Sequence, residues 1–162
     1  MKEQKTVFMT QAAMIAAVYV VLTVIFAPIA FGQVQIRIAE ALTILPMFTP
    51  AAIPGLFVGC LIGNIIGGAV LPDIIFGSLA TFIGAIFTYL LRYQSKYLAP
   101  LPPIIANTIV VPFVLRYAYG VALPIPFMML TVGIGEILSC GVLGMVVYTA
   151  LQKYRYKIFK TA

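Results

Sequence analysis

The sequence contains no histidine, only two cysteines and only four acidic residues among its 162 positions. Without histidine there is no histidine-based metal site, no Ser/His/Asp triad and no histidine phosphorelay. Cys60 and Cys140 form no CxxC pair and lie within apolar runs, so we expect no zinc site or disulfide framework and interpret both as small packing residues. No GxxxxGK[ST] phosphate loop occurs, so this chain hydrolyses no nucleotide. We therefore expect that the protein binds neither a metal nor a cofactor and that it is not an enzyme.

Charged side chains are scarce as well. They make up 9 % of the residues, against 63 % hydrophobic residues, and the mean hydropathy is +1.12. This number of ionic groups is too small to cover the surface of a soluble protein of this length. The main solvent of the protein is therefore expected to be lipid. The net charge is +6, but the basic residues lie at the ends of apolar runs and not on one helical face between aromatics. Nucleic acid is therefore not an expected partner.

Proline and glycine divide the apolar sequence into six segments. A membrane-spanning helix needs about 20 apolar residues, and the predicted segments are residues 7–26, 36–49, 51–70, 73–91, 101–119 and 124–151. The first apolar run is longer than the hydrophobic region of a typical signal peptide, so we expect it to remain as a helix. The prediction is an all-α integral membrane protein with six transmembrane helices in one domain, residues 1–162.

The positions of lysine and arginine predict the orientation in the membrane. Basic residues accumulate on the cytoplasmic ends of spans. Eight of the ten precede the first segment or follow the fourth and the sixth, namely Lys2, Lys5, Arg92, Lys96, Lys153, Arg155, Lys157 and Lys160. Only Arg37 and Arg116 remain for the other side. Both termini are therefore expected in the cytoplasm, which agrees with an even number of crossings.

Small residues recur at four-residue spacing in two of the segments, a pattern that lets membrane helices pack closely. The row in the third segment, for which packing inside the bundle is favoured, consists of Gly55, Gly59, Gly63 and Gly67. The two rows in the first segment consist of Ala12 with Ala16 and Ala13 with Ala17. The alanine rows can pack inside the bundle or against a partner protein, and the sequence leaves both possibilities open.

Three of the four acidic residues lie within or at the start of predicted spans, where an ionisable group costs roughly 2.5 to 3.5 kcal/mol on insertion scales. Glu40 lies three residues after Arg37 on one helical face, so it either pairs with this arginine or binds a ligand. Glu136 has no basic residue within a turn and is predicted to bind a cationic or hydrogen-bond-donating ligand. Asp73 begins the fourth segment, where capping the helix N-terminus is the favoured role.

Two amides, Asn64 and Asn107, also lie within apolar runs. Each can donate and accept hydrogen bonds, and bonds between helices are their ordinary role. In the predicted topology these amides and the charged residues fall at similar depths, so we expect a pocket in the outer half, formed by Arg37, Glu40, Asn64, Asp73, Asn107 and Glu136. The loop of residues 27–36 contains Phe31 and Gln33 and is either a lid over this pocket or a plain connector.

Three stretches of the chain are similar to a known family. They are the alanine rows, residues 34–46 with the sequence VQIRIAEALTILP, and residues 54–64 with the pattern GxxxGxxxGN. They resemble the substrate-binding S components of energy-coupling factor (ECF) transporters, and among these the QueT family of queuosine-precursor transporters, over nearly the whole chain. The resemblance implies a six-helix binding protein of the bacterial plasma membrane. It also implies docking through Ala12, Ala13, Ala16 and Ala17 onto a transmembrane coupling protein with two cytoplasmic ATPases.

The resemblance further implies a 7-deazaguanine base as the solute, such as the 7-aminomethyl compound. A guanine-like edge presents adjacent N–H donors that one carboxylate can accept, and an aminomethyl cation needs a second carboxylate. We expect Glu40 and Glu136 to divide these two roles, with Arg37 orienting Glu40. Asn64 and Asn107 are expected to contact the base, and Phe31 or Tyr117 to stack on it. The full expected site is Phe31, Gln33, Arg37, Glu40, Asn64, Asp73, Asn107, Tyr117 and Glu136.

Two other functions remain open. One is a secondary transporter that works alone, with a coupling proton carried by Glu40 or Glu136. The two halves of the chain show no matching pair of broken segments, which speaks against the inverted repeats of many such transporters. The other is an S component for a different vitamin.

Overall fold

The computed structural model describes residues 2–30 and 36–159. All regular structure in these residues is helical, and they contain no strand. The α-helices are α1 (Lys2–Ile25), α2 (Ala27–Ala30), α3 (Ala52–Ile66), α4 (Leu71–Leu90), α5 (Leu101–Tyr117), α6 (Ile125–Glu136), α7 (Gly144–Gln152) and α8 (Arg155–Ile158). A 3-10 helix (Ile38–Met47) precedes α3, a 3-10 turn (Leu91–Tyr93) follows α4, and a π-helical segment (Ile137–Leu143) joins α6 to α7. The all-α prediction is confirmed for the described residues.

Within the described chain, three helical stretches are long and apolar enough to cross a membrane. They are Glu3–Ile25, Leu71–Tyr93 and Ile125–Gln152, with 23, 23 and 28 residues. The shorter apolar helices are Ile38–Met47, Ala52–Ile66 and Leu101–Tyr117. Each of the six predicted segments therefore overlaps one helical stretch. The number of crossings remains a prediction.

The second predicted segment is not an α-helix. Residues 38–47 form a 3-10 helix whose residues from Ala39 to Met47 are all buried. Side chains three apart eclipse one another in this geometry, so Glu40 and Thr43 lie in one line. The Thr43 hydroxyl donates to the backbone oxygen of Glu40 at 2.6 Å and lies 3.4 Å from the sulfur of Cys140. The 3-10 geometry thus presents this line of polar groups to the π-helical segment.

The glycine row of α3 packs against α1 at backbone distance. A Cβ added at Gly55 would lie 2.7 Å from the backbone oxygen of Ala12, and one at Gly59 would lie 2.8 Å from Cβ of Tyr19. At Gly63 the nearest atom would be Oγ1 of Thr23, at 3.1 Å. Only residues without a side chain allow two helices to approach this closely. The fourth glycine, Gly67, caps the C-terminus of α3.

The two alanine rows of α1 have different surroundings. Ala12 is half-buried and Ala16 is 8 % exposed, since both face the glycine row of α3. Ala13 and Ala17 are exposed. One row is therefore a packing surface inside the bundle, and the other belongs to its outer surface.

The two ends of the bundle differ in charge. The start of α1 meets α8 where Nε2 of Gln11 donates to the backbone oxygen of Ile158 at 3.4 Å. The ends of α4 and α7 lie at the same end of the bundle. The described basic residues at this end are Lys2, Lys5, Arg92, Lys96, Lys153, Arg155 and Lys157, and we call it the basic end. Arg37 and Arg116 belong to the opposite end.

Candidate functional site

The polar residues singled out from the sequence lie inside the bundle and close to one another. They come from the 3-10 helix and its N-terminal flank, from α3, α4 and α5, and from the end of α6. Their exposed fractions are all 6 % or less. We call this set the polar cluster: Arg37, Glu40, Asn64, Asp73, Asn107 and Glu136. Sequence patterns therefore predicted a real spatial group.

Arg37 forms its ion pair with Asp73. Nη2 of the guanidinium donates to Oδ2 and Oδ1 of Asp73 at 3.2 and 3.4 Å. The alternative of an ion pair between Arg37 and Glu40 is therefore wrong for the described residues. It assumed a helical spacing, but Arg37 precedes the 3-10 helix in extended conformation, with φ −90° and ψ 93°. Arg37 thus cannot be assigned the role of orienting Glu40 through such a pair.

Asp73 does not cap α4. The N-cap position is Val70, and Asp73 is the third residue of the helix, with an exposed fraction of 1 %. Its carboxylate also accepts a hydrogen bond from the hydroxyl of Tyr119 at 2.9 Å. Burial and the negative charge of Asp73 raise the pKa of Tyr119, which lies in the loop after α5, to about 12. The favoured capping role was therefore wrong, because the fixed charge of Arg37 determines where this carboxylate lies.

Glu40 accepts hydrogen bonds on one of its two carboxylate oxygens. The hydroxyl of Tyr19, from α1, donates to Oε1, and Oγ1 of Thr81 lies 3.2 Å from the same atom. The other oxygen, Oε2, is buried and forms no hydrogen bond of good geometry with the described residues. Tyr19 is not among the site residues predicted from the sequence. A signal existed, because Tyr19 continues the row of Ala12 and Ala16 that faces α3.

Both cysteines contact the polar cluster. The thiol of Cys140 donates to Oε2 of Glu136 at 3.2 Å, and its sulfur lies 3.5 Å from the backbone oxygen of Glu40. Cys60 lies 3.6 Å from Nδ2 of Asn64 and 3.5 Å from Oγ1 of Thr81. Their interpretation as apolar packing residues was incomplete, since buried sulfur also acts as a weak hydrogen-bonding group.

One group in the cluster has the spacing of metal ligands. The donor atoms of Glu40, Glu136 and Cys140 lie within 4.8 Å of one another. A thiolate, not a thiol, binds metal ions. The hydrogen bond from Cys140 to Glu136 uses the thiol proton. As a thiol, Cys140 links the two carboxylate-bearing segments by hydrogen bonding; as a thiolate, it would complete a three-ligand set with Glu40 and Glu136.

Asn107 has the least satisfied side chain of the cluster. It lies beside both carboxylates, Glu40 and Glu136. Neither its Nδ2 nor its Oδ1 forms a hydrogen bond of good geometry with the described residues. A buried polar group without a partner costs about 1 to 3 kcal/mol. A ligand that bonded to Asn107 and to Oε2 of Glu40 would remove this cost.

The polar cluster also contains more negative than positive charge. Three carboxylates, those of Glu40, Asp73 and Glu136, lie with one guanidinium, that of Arg37, among the described residues of the cluster. Unbalanced charge is costly away from water. Protons or a cationic ligand must therefore neutralise Glu40 and Glu136.

The cavity next to the cluster is small. It has a volume of about 10 Å³ and is bounded by Tyr19, Arg37 and Asn64. This is room for about one water molecule. Larger grooves of about 380 and 470 Å³ lie on the outside, between α4 and α5, and are lined by apolar residues. The described residues around this cavity therefore enclose less space than a purine occupies.

One described residue of the expected site, Tyr117, is not part of the cluster. Tyr117 is 78 % exposed and lines the outer groove of about 380 Å³. The tyrosine that reaches the cluster is Tyr119, two residues further on. Phe31 and Gln33 lie outside the described residues.

These features define a helical membrane protein with a buried, carboxylate-rich and incompletely hydrogen-bonded interior site. The chain belongs to the QueT transporter family, whose model matches residues 9–153. It is similar to the queuosine precursor transporter QueT of Lactococcus lactis subsp. cremoris, with 32 % identity over 101 residues, which are 60 % of this chain and 59 % of the relative. The chain therefore matches less than two thirds of the length of this curated relative. No solved structure matches the chain.

Proposed function

We propose that the protein binds a queuosine precursor of the 7-deazaguanine class in the polar cluster and acts as the S component of an ECF importer. The observation that carries this proposal is the pair of buried carboxylates, Glu40 and Glu136, with the unsatisfied Asn107 beside both. The name of the Lactococcus relative gives the solute class.

The chemistry of such a base suits these groups. Its guanine-like edge presents adjacent N–H donors, and one carboxylate accepts both in bonds of roughly 1.5 to 3 kcal/mol each. An aminomethyl group is cationic and pairs with the second carboxylate, which also balances the charge of the cluster. Asn107 then bonds to a carbonyl or ring nitrogen, and Asn64 contacts the same side of the base. The ion pair of Arg37 and Asp73 forms a fixed wall at the opposite end of the binding site.

The proposed topology has six crossings of the bacterial plasma membrane, with both termini in the cytoplasm. The concentration of basic residues at one end of the bundle supports it. Arg37 and Asp73 then lie toward the outside, so the solute enters from that side. Phe31 and Gln33 belong to the loop that we propose as a lid.

The exposed row of α1, Ala13 and Ala17, is the proposed contact with the transmembrane coupling protein. Ala12 and Ala16 support this row from inside by packing on α3. ATP is hydrolysed by the two partner ATPases. Because Tyr19 of the same helix bonds to Glu40, movement of α1 on the coupling protein reaches the site directly.

Calorimetry on the purified chain in detergent tests the substrate. 7-Aminomethyl-7-deazaguanine is titrated beside guanine and riboflavin, into the unchanged chain and into Glu40→Gln, Glu136→Gln and Glu136→Ala. We expect the deazaguanine alone to bind, Glu136→Ala to abolish binding, and the control Glu3→Gln, at the exposed N-terminus, to bind normally. Binding of riboflavin instead would identify an S component for a different vitamin. Unchanged affinity in Glu136→Ala would remove this residue from the site.

A second function is favoured by one observation, the close approach of Glu40 and Glu136, since two neighbouring carboxylates can hold and release a proton. In that case the chain is a proton-coupled transporter that works alone. Vesicles that contain only this chain would then accumulate the base when a pH gradient is applied. If vesicles that lack the ATPase partners take up no base, this result supports the S-component function.

A further inference from the structure

A second cavity lies at the basic end, far from the polar cluster. Its volume is about 190 Å³, and it lies between the end of the 3-10 helix, the end of α4, and α7 and α8. Two arginines, Arg92 and Arg155, line it together with three tyrosines, and none of the described residues that line it is acidic. The described walls therefore place two guanidinium groups and no carboxylate around one space. Such a space favours an anion.

The guanidinium of Arg92 is held in place from two sides. Nη1 donates to the backbone oxygen of Tyr89 at 2.8 Å, and Nη2 donates to the hydroxyl of Tyr93 at 3.1 Å. Its Cζ atom lies 3.7 Å from the ring centre of Tyr89 and 4.2 Å from that of Tyr93. Arginine has five N–H donors, so these two bonds leave further donors for an anion. A guanidinium fixed in this way loses little conformational freedom on binding.

The floor of the cavity is aromatic. Phe48 lies 5.1 Å from the ring of Tyr148 and is stacked on Phe159 at 5.4 Å. Leu90, which follows the cavity residue Tyr89 at the end of α4, is 59 % exposed. Apolar and basic surfaces therefore meet at one place, where two long apolar helices end. This combination is typical of the headgroup region of a membrane, where tyrosines are enriched and basic pockets bind lipid headgroups.

We propose that this cavity binds the phosphodiester of an anionic phospholipid. Arg92 and Arg155 contact the phosphate oxygens, the tyrosine hydroxyls donate additional hydrogen bonds, and the acyl chains follow the apolar surface at the end of α4. The lipid lies under the end of the 3-10 helix that carries Glu40, so it stabilises the arrangement of helices around the polar cluster.

Native mass spectrometry of the purified chain in detergent tests this proposal, with phosphatidylglycerol and phosphatidylcholine as matched lipids. We expect one phosphatidylglycerol to be retained with at least tenfold preference over phosphatidylcholine. Arg92→Gln/Arg155→Gln is expected to lose this preference. Lys153 and Lys157 do not line the cavity. The double variant Lys153→Gln/Lys157→Gln removes the same charge at the same end and is expected to keep the preference for phosphatidylglycerol.

Several results would overturn the proposal. They are equal retention of the two lipids, equal loss in the two double variants, and displacement of phosphatidylglycerol by millimolar inorganic phosphate, which would indicate a site for a free anion. Circular dichroism and the retention volume on a sizing column show whether the arginine variant is folded. If it is not, Arg92→Lys/Arg155→Lys replaces it. That variant keeps the charge but lacks the planar fork, and it is expected to lose part of the preference.

Discussion

The hydroxyl of Tyr19 donates a hydrogen bond to Oε1 of Glu40 across the interface between α1 and the 3-10 helix. Both side chains are buried, with exposed fractions of 2 % and 0 %. The helix that packs against the glycine row therefore also supplies a donor to the polar cluster. Removing that donor tests whether the two features are linked.

We expect Tyr19→Phe to weaken binding of the deazaguanine about tenfold. A hydrogen bond to a charged group contributes about 1.5 to 3 kcal/mol, and its loss lets the Glu40 carboxylate turn away from the ligand. Calorimetry measures the affinity. Tyr117→Phe, at an exposed tyrosine, is the matched control and should bind as the unchanged chain does. Equal affinities in all three proteins would show that Tyr19 does not hold Glu40 for the ligand.

The ion pair of Arg37 and Asp73 is expected to contribute strongly to stability. Asp73→Asn leaves the guanidinium buried without its counter-charge, which costs about 3 to 5 kcal/mol. The double variant Arg37→Gln/Asp73→Asn should therefore lose less stability than the sum of the two single variants. Thermal unfolding in detergent measures this, followed with a thiol-reactive dye, because Cys60 and Cys140 are buried until the protein unfolds. Strict additivity would exclude a direct interaction of the two residues.

Gly59→Ala is expected to destabilise the protein by about 1 to 3 kcal/mol. The new Cβ would lie 2.8 Å from Cβ of Tyr19 and 3.0 Å from Cα of Ala16, so α1 and α3 must separate. Gly141→Ala is the control, since its Cβ would meet nothing closer than 3.8 Å. The same dye assay compares their melting temperatures. A Gly59→Ala protein as stable as the control would mean that α1 and α3 are not packed at backbone distance.

The raised pKa of Tyr119 predicts that the stability of the protein depends on pH in the alkaline range. Burial first, and then the charge of Asp73, raises its pKa from the ordinary value of 10.0 to about 12. The contribution of Tyr119 is therefore fully present below pH 10 and is lost as the pH rises toward 12, because the unfolded chain then binds fewer protons than the folded one. The difference in melting temperature between the unchanged chain and Tyr119→Phe should shrink across this interval. A constant difference in melting temperature would contradict a raised pKa of Tyr119 in the folded protein.

The exposed alanine row predicts that assembly with the coupling protein can be lost while binding of the solute is kept. Ala13→Leu/Ala17→Leu changes only the outer surface of α1, so we expect normal affinity for the solute and loss of co-purification with the coupling protein. Ala16→Leu inserts a large side chain against Gly59 and should lower stability instead. Normal assembly in the Ala13/Ala17 variant would place the contact elsewhere.

The sequence predicted which residues meet but not how they pair. Three rare carboxylates and two amides inside apolar runs had to find partners, and for this reason their proximity could be predicted from composition and segment order. The pairing depends on backbone geometry. Arg37 lies in extended backbone and Glu40 in a 3-10 helix, so a helical spacing rule selected the wrong partner for Arg37.

The role of Tyr19 was missed for a related reason. On the sequence it is one aromatic residue among many in an apolar helix, and such residues mostly face lipid or the core. Only the close approach of α1 to α3 brings its hydroxyl to Glu40. The glycine row indicated this approach correctly, but it did not indicate what lies on the facing helix.

The π-helical segment, Ile137–Leu143, accommodates an additional residue between the polar cluster and the basic end. Glu136 precedes it, Cys140 lies within it, and Tyr148 of α7 follows it to reach Phe48 at the other end of the 3-10 helix. A π turn contains one residue more than an α turn. Deleting one residue from a regular α-helix would rotate everything beyond it by about 100°. The wider π turn takes up the additional residue instead, so Glu136 stays in the cluster while Tyr148 still reaches Phe48 at the basic end.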